Sequence, residues 1–193
     1  MNEEAHIRGL IERAQAGDNE AFSEVYEKFF TPLYRFIYYK VGRKEEAEDL
    51  TQSLFLKAFS SLAQYRIEAS PFRAWLYRIA GNLVIDFFRK KKDLPLFQTT
   101  GQDDDLLIEI PDFDGLNPEE ETSVKQLSEF VRDTLGTLDE LPRQIVIMHY
   151  IDGLPYRDIA KTVGQSEGSV RQISSRAIKA LRIKFEEKNI YDR

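Results

Sequence analysis

The sequence predicts an all-α protein: two small helical domains joined by a flexible acidic linker, the C-terminal one a helix-turn-helix. Three observations carry this. Apolar residues recur every three or four positions through most of the chain. No strand pair with a hairpin turn can be found. Residues 93–121 abandon the helical period and fill with Asp, Gly and Pro. The boundaries fall at 1–92, 93–121 and 122–193.

The elements follow in order. Residues 3–16 place Ile7, Leu10, Ile11 and Ala14 on one helical face. Asp18 or Asn19 can cap a second helix, from about Glu20 to Val41. Pro32 predicts a kink or break within it, and Gly42 ends it. A third helix spans 44–63, on the recurrence of Leu50, Leu54, Phe55, Ala58, Phe59 and Leu62. Gln64–Ser70 reads as a loop in which Ser70 caps the next helix and Pro71 enters its first turn. That helix contains RAWLYRIAGNLVIDFFRKKK, residues 73–92. Helices resume near Glu119 and run to about Leu138; Pro142 opens another, through Ile151; Gly153-Leu154-Pro155 turns the chain.

Composition excludes several functions. The chain has 193 residues, 42% hydrophobic, enough to build a core. It has no cysteine, so disulfides, thiolate metal sites and cysteine nucleophiles are absent together. No apolar run approaches the roughly 20 residues of a membrane span. The N-terminus, MNEEAHIRGLIERA, lacks a signal-peptide core. The expectation is a soluble cytoplasmic protein with no membrane insertion. His6 and His149 are the two histidines, in different domains and without metal-ligand spacing; His149, in QIVIMHYIDG, reads as a packed structural residue. There is no GxxxxGK[ST] phosphate loop and no GxSxG elbow. No catalytic residue, metal or cofactor is expected, and the chain does not read as an enzyme.

The net charge of −6 hides a segregation. Residues 1–30 hold seven acids against three bases. The stretch 73–92 gathers Arg73, Arg78, Arg89, Lys90, Lys91 and Lys92 against Asp86. Residues 93–121 carry ten acids and no Lys or Arg. From 157 to 184, seven bases face Asp158 and Glu167. Two basic zones separated by an acidic one point to a polyanionic partner. They also raise the expectation that the acidic linker, or the acidic N-terminus, folds back on the basic helices.

On a wheel advancing about 100° per residue, the 73–92 helix separates two stripes. Phe72, Leu76, Ile79, Ala80, Leu83 and Phe87 form a core stripe. Trp75, Arg78, Asn82, Asp86 and Arg89 form an adjacent one. Aromatics offer stacking surfaces to unpaired bases, guanidinium groups engage phosphate, and an amide can read a base edge. Trp75 taken alone fits the core equally well. Asp86 can order Arg89 or Arg78 within the helix, or accept from a cytosine amine.

The C-terminal signal is sharper. In YRDIAKTVGQSEGSVRQISSRAIKAL, Tyr156, Ile159, Ala160 and Val163 line one side of a short helix. Gly164 supplies the corner, and Ser166 caps a second helix with Glu167 at its positive end. Val170, Ala177 and Leu181 face inward, with Ile173 and Ile178 on the flanks. Arg171, Gln172, Ser175, Arg176 and Lys179 share the outer face, the residue types that bond base edges in a major groove.

Taken together, AEDLTQSLFLKAF, FRAWLYRIAGNLVIDFFRKKK and LDELPRQIVIMHYIDGLPYRDIAKTVGQSEGSVRQISSRAIKAL resemble the sigma factors of bacterial RNA polymerase, of the compact extracytoplasmic-function type. The resemblance covers most of the chain except the linker and termini. It implies a first domain that binds the clamp helices of the polymerase β′ subunit, with Asp49, Gln52 and Phe55 at the matching positions. That domain would also recognise and melt the −10 promoter element, with a flipped base held near Gln64–Pro71. Trp75, Arg78, Asn82, Asp86 and Arg89 would lie near the melted strand, and Lys90, Lys91 and Lys92 on its phosphates. The second domain would touch the β flap and read the −35 duplex through Ser166, Ser169, Arg171, Gln172, Ser175, Arg176 and Lys179. The linker would thread toward the active-site and RNA-exit channels, and an anti-sigma factor is an expected partner. Three positions depart from the family pattern: Ser53 follows Gln52 where Glu is usual, Gly81 precedes Asn82 where Arg or Lys is common, and Ile173 stands at an often basic position. The alternative reading is a one-component helix-turn-helix regulator on duplex operators. It would need neither AEDLTQSLF nor the Trp-Arg-Asn-Asp stripe.

Overall fold

The computed structural model describes residues 3–67, 70–93 and 130–191, with side chains through Lys90 and Glu186 in the last two stretches. The expected linker, beyond Asp93, lies outside the described residues. So do the start of the helix expected near Glu119 and the side chains of Lys91 and Lys92. The linker's expected fold-back on the basic helices therefore falls outside them too. Among the described residues the regular structure is helical: α1 (Glu3–Gln15), α2 (Asn19–Val41), α3 (Lys44–Ser61), a 3₁₀ turn (Leu62–Gln64) and α4 (Phe72–Asp93). After a helical segment at 130–136 come α5 (Glu140–Val146), a π turn (Ile147–Ile151), α6 (Tyr156–Val163) and α7 (Glu167–Tyr191).

Local chemistry sets the ends. Asp18 caps α2, its carboxylate accepting from the Ala21 N–H at 3.1 Å, which satisfies one of the donors a helix start leaves unpaired. Gly42 closes the helix with φ of 81°, its N–H donating to the Tyr38 carbonyl at 2.8 Å. Pro32 does not break α2, which runs through it unbroken. Burial of Phe29, Leu33, Tyr34, Phe36 and Ile37 on both sides of the proline outweighs one lost backbone bond. Ser70 does not cap α4. Its hydroxyl donates to the Pro71 carbonyl at 3.3 Å, and that carbonyl accepts the first helical bond, from Trp75, at 3.1 Å. α5 begins at Glu140, so Pro142 sits within its first turn rather than opening it. α7 continues to Tyr191.

The acidic N-terminus packs as α1 against α2, through Leu10, Ile11 and Ala14. Its Glu3 pairs with Lys28 of α2 at 2.9 Å. α2, α3 and α4 form a three-helix core, and one apolar cluster of buried residues extends from it into α5, α6 and α7. α4 shows why. Phe72, Leu76 and Ala80 are buried as the period predicts, and Ile79 and Leu83 partly so. Ala74, Tyr77 and Val84, on the next quarter of the helix, are fully buried as well, because α4 also packs on α6. The sequence period had marked one apolar face, and the helix is covered on two.

Candidate nucleic-acid interface

Two polar faces are built, one on each half. On α4, Arg78, Asn82 and Arg89 are exposed in one stripe, with Asp86 half-buried among them. Asp86 pairs with Arg89 at 2.9 Å, so of its two expected partners the structure takes Arg89. Trp75 is half-buried, tilted against Tyr65 at 4.9 Å and Phe72 at 5.3 Å between centroids. The ring helps close the core and stays partly exposed. Lys90 is exposed at the end of the stripe. Arg73, counted among the basic residues of this helix, turns away from the stripe and donates to the Asp152 carbonyl at 3.1 Å.

The loop before α4 is anchored from both sides. The Tyr65 hydroxyl donates to the Ser70 carbonyl at 2.6 Å. The Gln15 amide donates to the carbonyls of Leu62 at 2.8 Å and Tyr65 at 2.9 Å. Sequence reasoning missed Gln15, for its partners lie about fifty positions away and no local period marks it. Burial of Tyr65 beside Phe72 fixes the base of the loop.

On α3, Asp49 and Gln52 are exposed one turn apart, but Phe55 is not beside them. Phe55 is buried under the helix, its ring 4.6 Å from Tyr26. The exposed apolar residues on the Asp49 side are Leu56, 72% exposed, and Phe59, 51% exposed, whose ring meets Phe22 edge-on. A wheel from Asp49 reaches Gln52, Ser53, Leu56 and Phe59 within about 140°, so the signal for Leu56 and Phe59 was present in the spacing.

The C-terminal face matches its expected geometry. Gly164 adopts φ of 69°, and the Gln165 N–H donates to the Ala160 carbonyl at 3.0 Å. Ser166 caps α7, its Oγ accepting from the Ser169 N–H at 3.1 Å. Arg171, Gln172, Ser175, Arg176 and Lys179 are exposed together, with Ser169 half-buried at the edge. Arg171 is held before any ligand arrives: it bonds Glu167 at 2.6 Å and lies 4.8 Å from the Tyr156 ring centroid. Behind it, Tyr156 meets the Ser174 hydroxyl at 3.1 Å and stacks on His149 at 3.9 Å. His149 donates from Nδ1 to the Leu154 carbonyl at 2.8 Å, a packed structural residue as expected. Burial raises the Tyr156 hydroxyl above its ordinary range.

Among the described residues no group of His, Asp and Glu is placed to hold a metal ion. Nor is any described helix long and apolar enough to cross a membrane. One face presents cations and an amide beside aromatic rings, the other a helix carrying Arg, Gln and Ser, residue types that can bond base edges.

Each half of the chain matches a known family model. Residues 25–93 match the family model described as Sigma-70 region 2, and residues 131–181 match the one described as Sigma-70, region 4. The chain is 30% identical over 181 residues to the ECF RNA polymerase sigma factor SigW of Bacillus subtilis, covering 93% of this chain and 96% of that one. It is 31% identical over 180 residues to the ECF RNA polymerase sigma factor BldN of Streptomyces coelicolor, covering 93% of this chain and 66% of that one. The fold resembles that of CnrH, solved in complex with the cytosolic domain of CnrY. The TM-score is 0.73 at 22% identity, over 94% of this chain and 98% of that one.

Proposed function

The chain belongs to the extracytoplasmic-function sigma factors of bacterial RNA polymerase, and from that premise we propose how its two halves divide the work. The protein directs core polymerase to promoters. The α4 stripe of Arg78, Asn82, Asp86 and Arg89, with Trp75 at its head and Lys90, Lys91 and Lys92 at its tail, holds the melted −10 strand. The α7 face of Arg171, Gln172, Ser175, Arg176 and Lys179, with Ser166 and Ser169 at the helix start, reads the −35 duplex. Asp49 and Gln52, joined by exposed Leu56 and Phe59, form the face offered to the polymerase β′ clamp helices, while Phe55 supports it from beneath. The second half also meets the β flap.

The observation that carries this reading is the order of two DNA-facing modules in one chain, region 2 at 25–93 and region 4 at 131–181. A duplex-binding regulator would need the second module alone, so that alternative is not favoured. No catalytic side chain is required. Unstacking a base step costs a few kcal/mol, and trapping unpaired bases on aromatic and polar groups offsets that cost. The protein acts in the cytoplasm, where the polymerase is, and an anti-sigma factor is its expected regulator.

The test is transcription with core polymerase and a genomic template library, mapping start sites gained over core alone. New starts sharing upstream elements at fixed spacing are expected. A start-site map identical to that of core enzyme would overturn the reading.

A further inference from the structure

Gln15 is the last residue of α1, and its side chain reaches a segment about fifty positions away. A primary amide carries two N–H donors. Here Nε2 donates to the Leu62 carbonyl at 2.8 Å and to the Tyr65 carbonyl at 2.9 Å. These carbonyls belong to the first residue of the 3₁₀ turn and to the residue that ends it. The Leu62 carbonyl also accepts the Tyr65 N–H at 3.1 Å, the bond that closes the turn. Gln15 therefore grips the turn at both ends and fixes the direction in which the chain leaves α3.

The grip has a firm base. Leu10, Ile11 and Ala14 bury the preceding turns of α1 against α2. Arg13 ties the corner between the two helices: its guanidinium pairs with Asp18 at 2.6 Å, and its carbonyl accepts the Asp18 N–H at 3.1 Å. At the far end the Tyr65 hydroxyl donates to the Ser70 carbonyl at 2.6 Å. The Tyr65 ring meets Phe72 at 5.2 Å and Trp75 at 4.9 Å between centroids. A continuous line of contacts thus runs from α1 through the turn and the Tyr65 ring to the indole of Trp75.

We propose that Gln15 is a positioning residue for −10 recognition: through the 3₁₀ turn and Tyr65 it sets the angle at which Trp75 meets an unpaired base, so that α1 contributes to promoter specificity. This rests on the reading of Trp75 as the head of the −10 stripe given above. Stacking depends on the orientation of the ring plane. Trp75 is half-buried against Tyr65, so the place of Tyr65 decides how far the indole can tilt. A ring already held in its bound orientation loses less entropy on binding. The Gln15 amide donors are engaged by protein carbonyls, so the residue acts through Tyr65 and Trp75 and not by bonding a base.

The experiment uses the full chain. Gln15→Met keeps the reach of the side chain and removes its donors, and Gln15→Lys returns donors to the same place. Gln15 is exposed, so both variants are expected to unfold at nearly the native midpoint. Trp75 is the one tryptophan of the chain, so its fluorescence reports the ring without polymerase or DNA. Emission from Gln15→Met is expected at longer wavelength, as the indole gains water, and emission from Gln15→Lys close to the native position. With core polymerase, run-off transcription is then measured on templates substituted base by base in the −10 and −35 elements. Gln15→Met is expected to lose about tenfold in discrimination at one −10 position and to keep the native ranking of −35 substitutions. Native −10 discrimination in Gln15→Met overturns the proposal. So does a loss shared equally by the −35 element, or one that Gln15→Lys does not recover, as a merely structural role would give. Failure of the unmodified chain to start transcription at any promoter would sink the promoter reading instead, while the Trp75 emission still decides whether Gln15 sets the ring.

Discussion

Arg171 lies over the ring of Tyr156, 4.8 Å from its centroid, while its guanidinium bonds Glu167 on the same helix at 2.6 Å. The side chain proposed above to read a −35 base is thus oriented in advance by a ring from the preceding helix. Less side-chain entropy is then lost on binding.

Arg171 and Lys179 should therefore behave differently. Arg171→Ala is expected to cost about 1–3 kcal/mol at one base position of the −35 element and to relax specificity there. Lys179→Ala should weaken all sequences alike and lower the salt slope by about one. Binding of the polymerase holoenzyme to duplexes substituted base by base, at several salt concentrations, measures both.

Phe55 and Leu56 separate folding from polymerase binding. Phe55→Ala, emptying a buried site, should destabilise the protein by about 3–5 kcal/mol in thermal or denaturant unfolding. Leu56→Asp, at an exposed site, should leave the unfolding midpoint nearly unchanged and lower affinity for core polymerase at least tenfold. Equal loss of stability in both variants would contradict the assignment of the α3 face.

Ser166→Ala removes the α7 cap and should cost about 0.5–2 kcal/mol, with Thr or Asp at the same position retaining most of it. Chemical denaturation of the three variants checks the ranking.

Asp152 predicts a pH dependence. Burial pushes its carboxyl above the ordinary value, and the facing groups, Arg35 on α2 with Tyr77 and Arg73 on α4, only partly offset this. A carboxyl whose folded pKa is raised costs stability that is fully present above that pKa. The cost is relieved as pH falls through it toward the unfolded value near 3.8. Asp152→Asn carries no such cost. The difference in melting temperature between the variant and the native protein should therefore shift in favour of the native protein as the solution is acidified. A difference constant with pH would show that the carboxyl is not perturbed.

The helices, the two caps at Asp18 and Ser166, the corner at Gly164 and the exposed set on α7 were legible because each depends on residues within a few positions of one another. Their period and turn chemistry leave few alternatives. The expected break at Pro32 and cap at Ser70 did not form for the opposite reason: a local preference of a few kcal/mol at most yields where buried neighbours favour another geometry.

The amino-acid order by itself determined that this chain is helical, that its charge falls in blocks, and that polar side chains gather on one face of α4 and one of α7. Only the tertiary structure decided which of the remaining polar side chains turn inward. Arg73 and Tyr77 look, by spacing, like a surface cation and a helix-side ring. They are turned inward because Asp152, some eighty positions later, comes to rest against them. A helical period records that a residue faces something. It carries no information about which distant segment that something is, since contacts between remote segments follow from how whole faces match in shape and charge once the chain has folded.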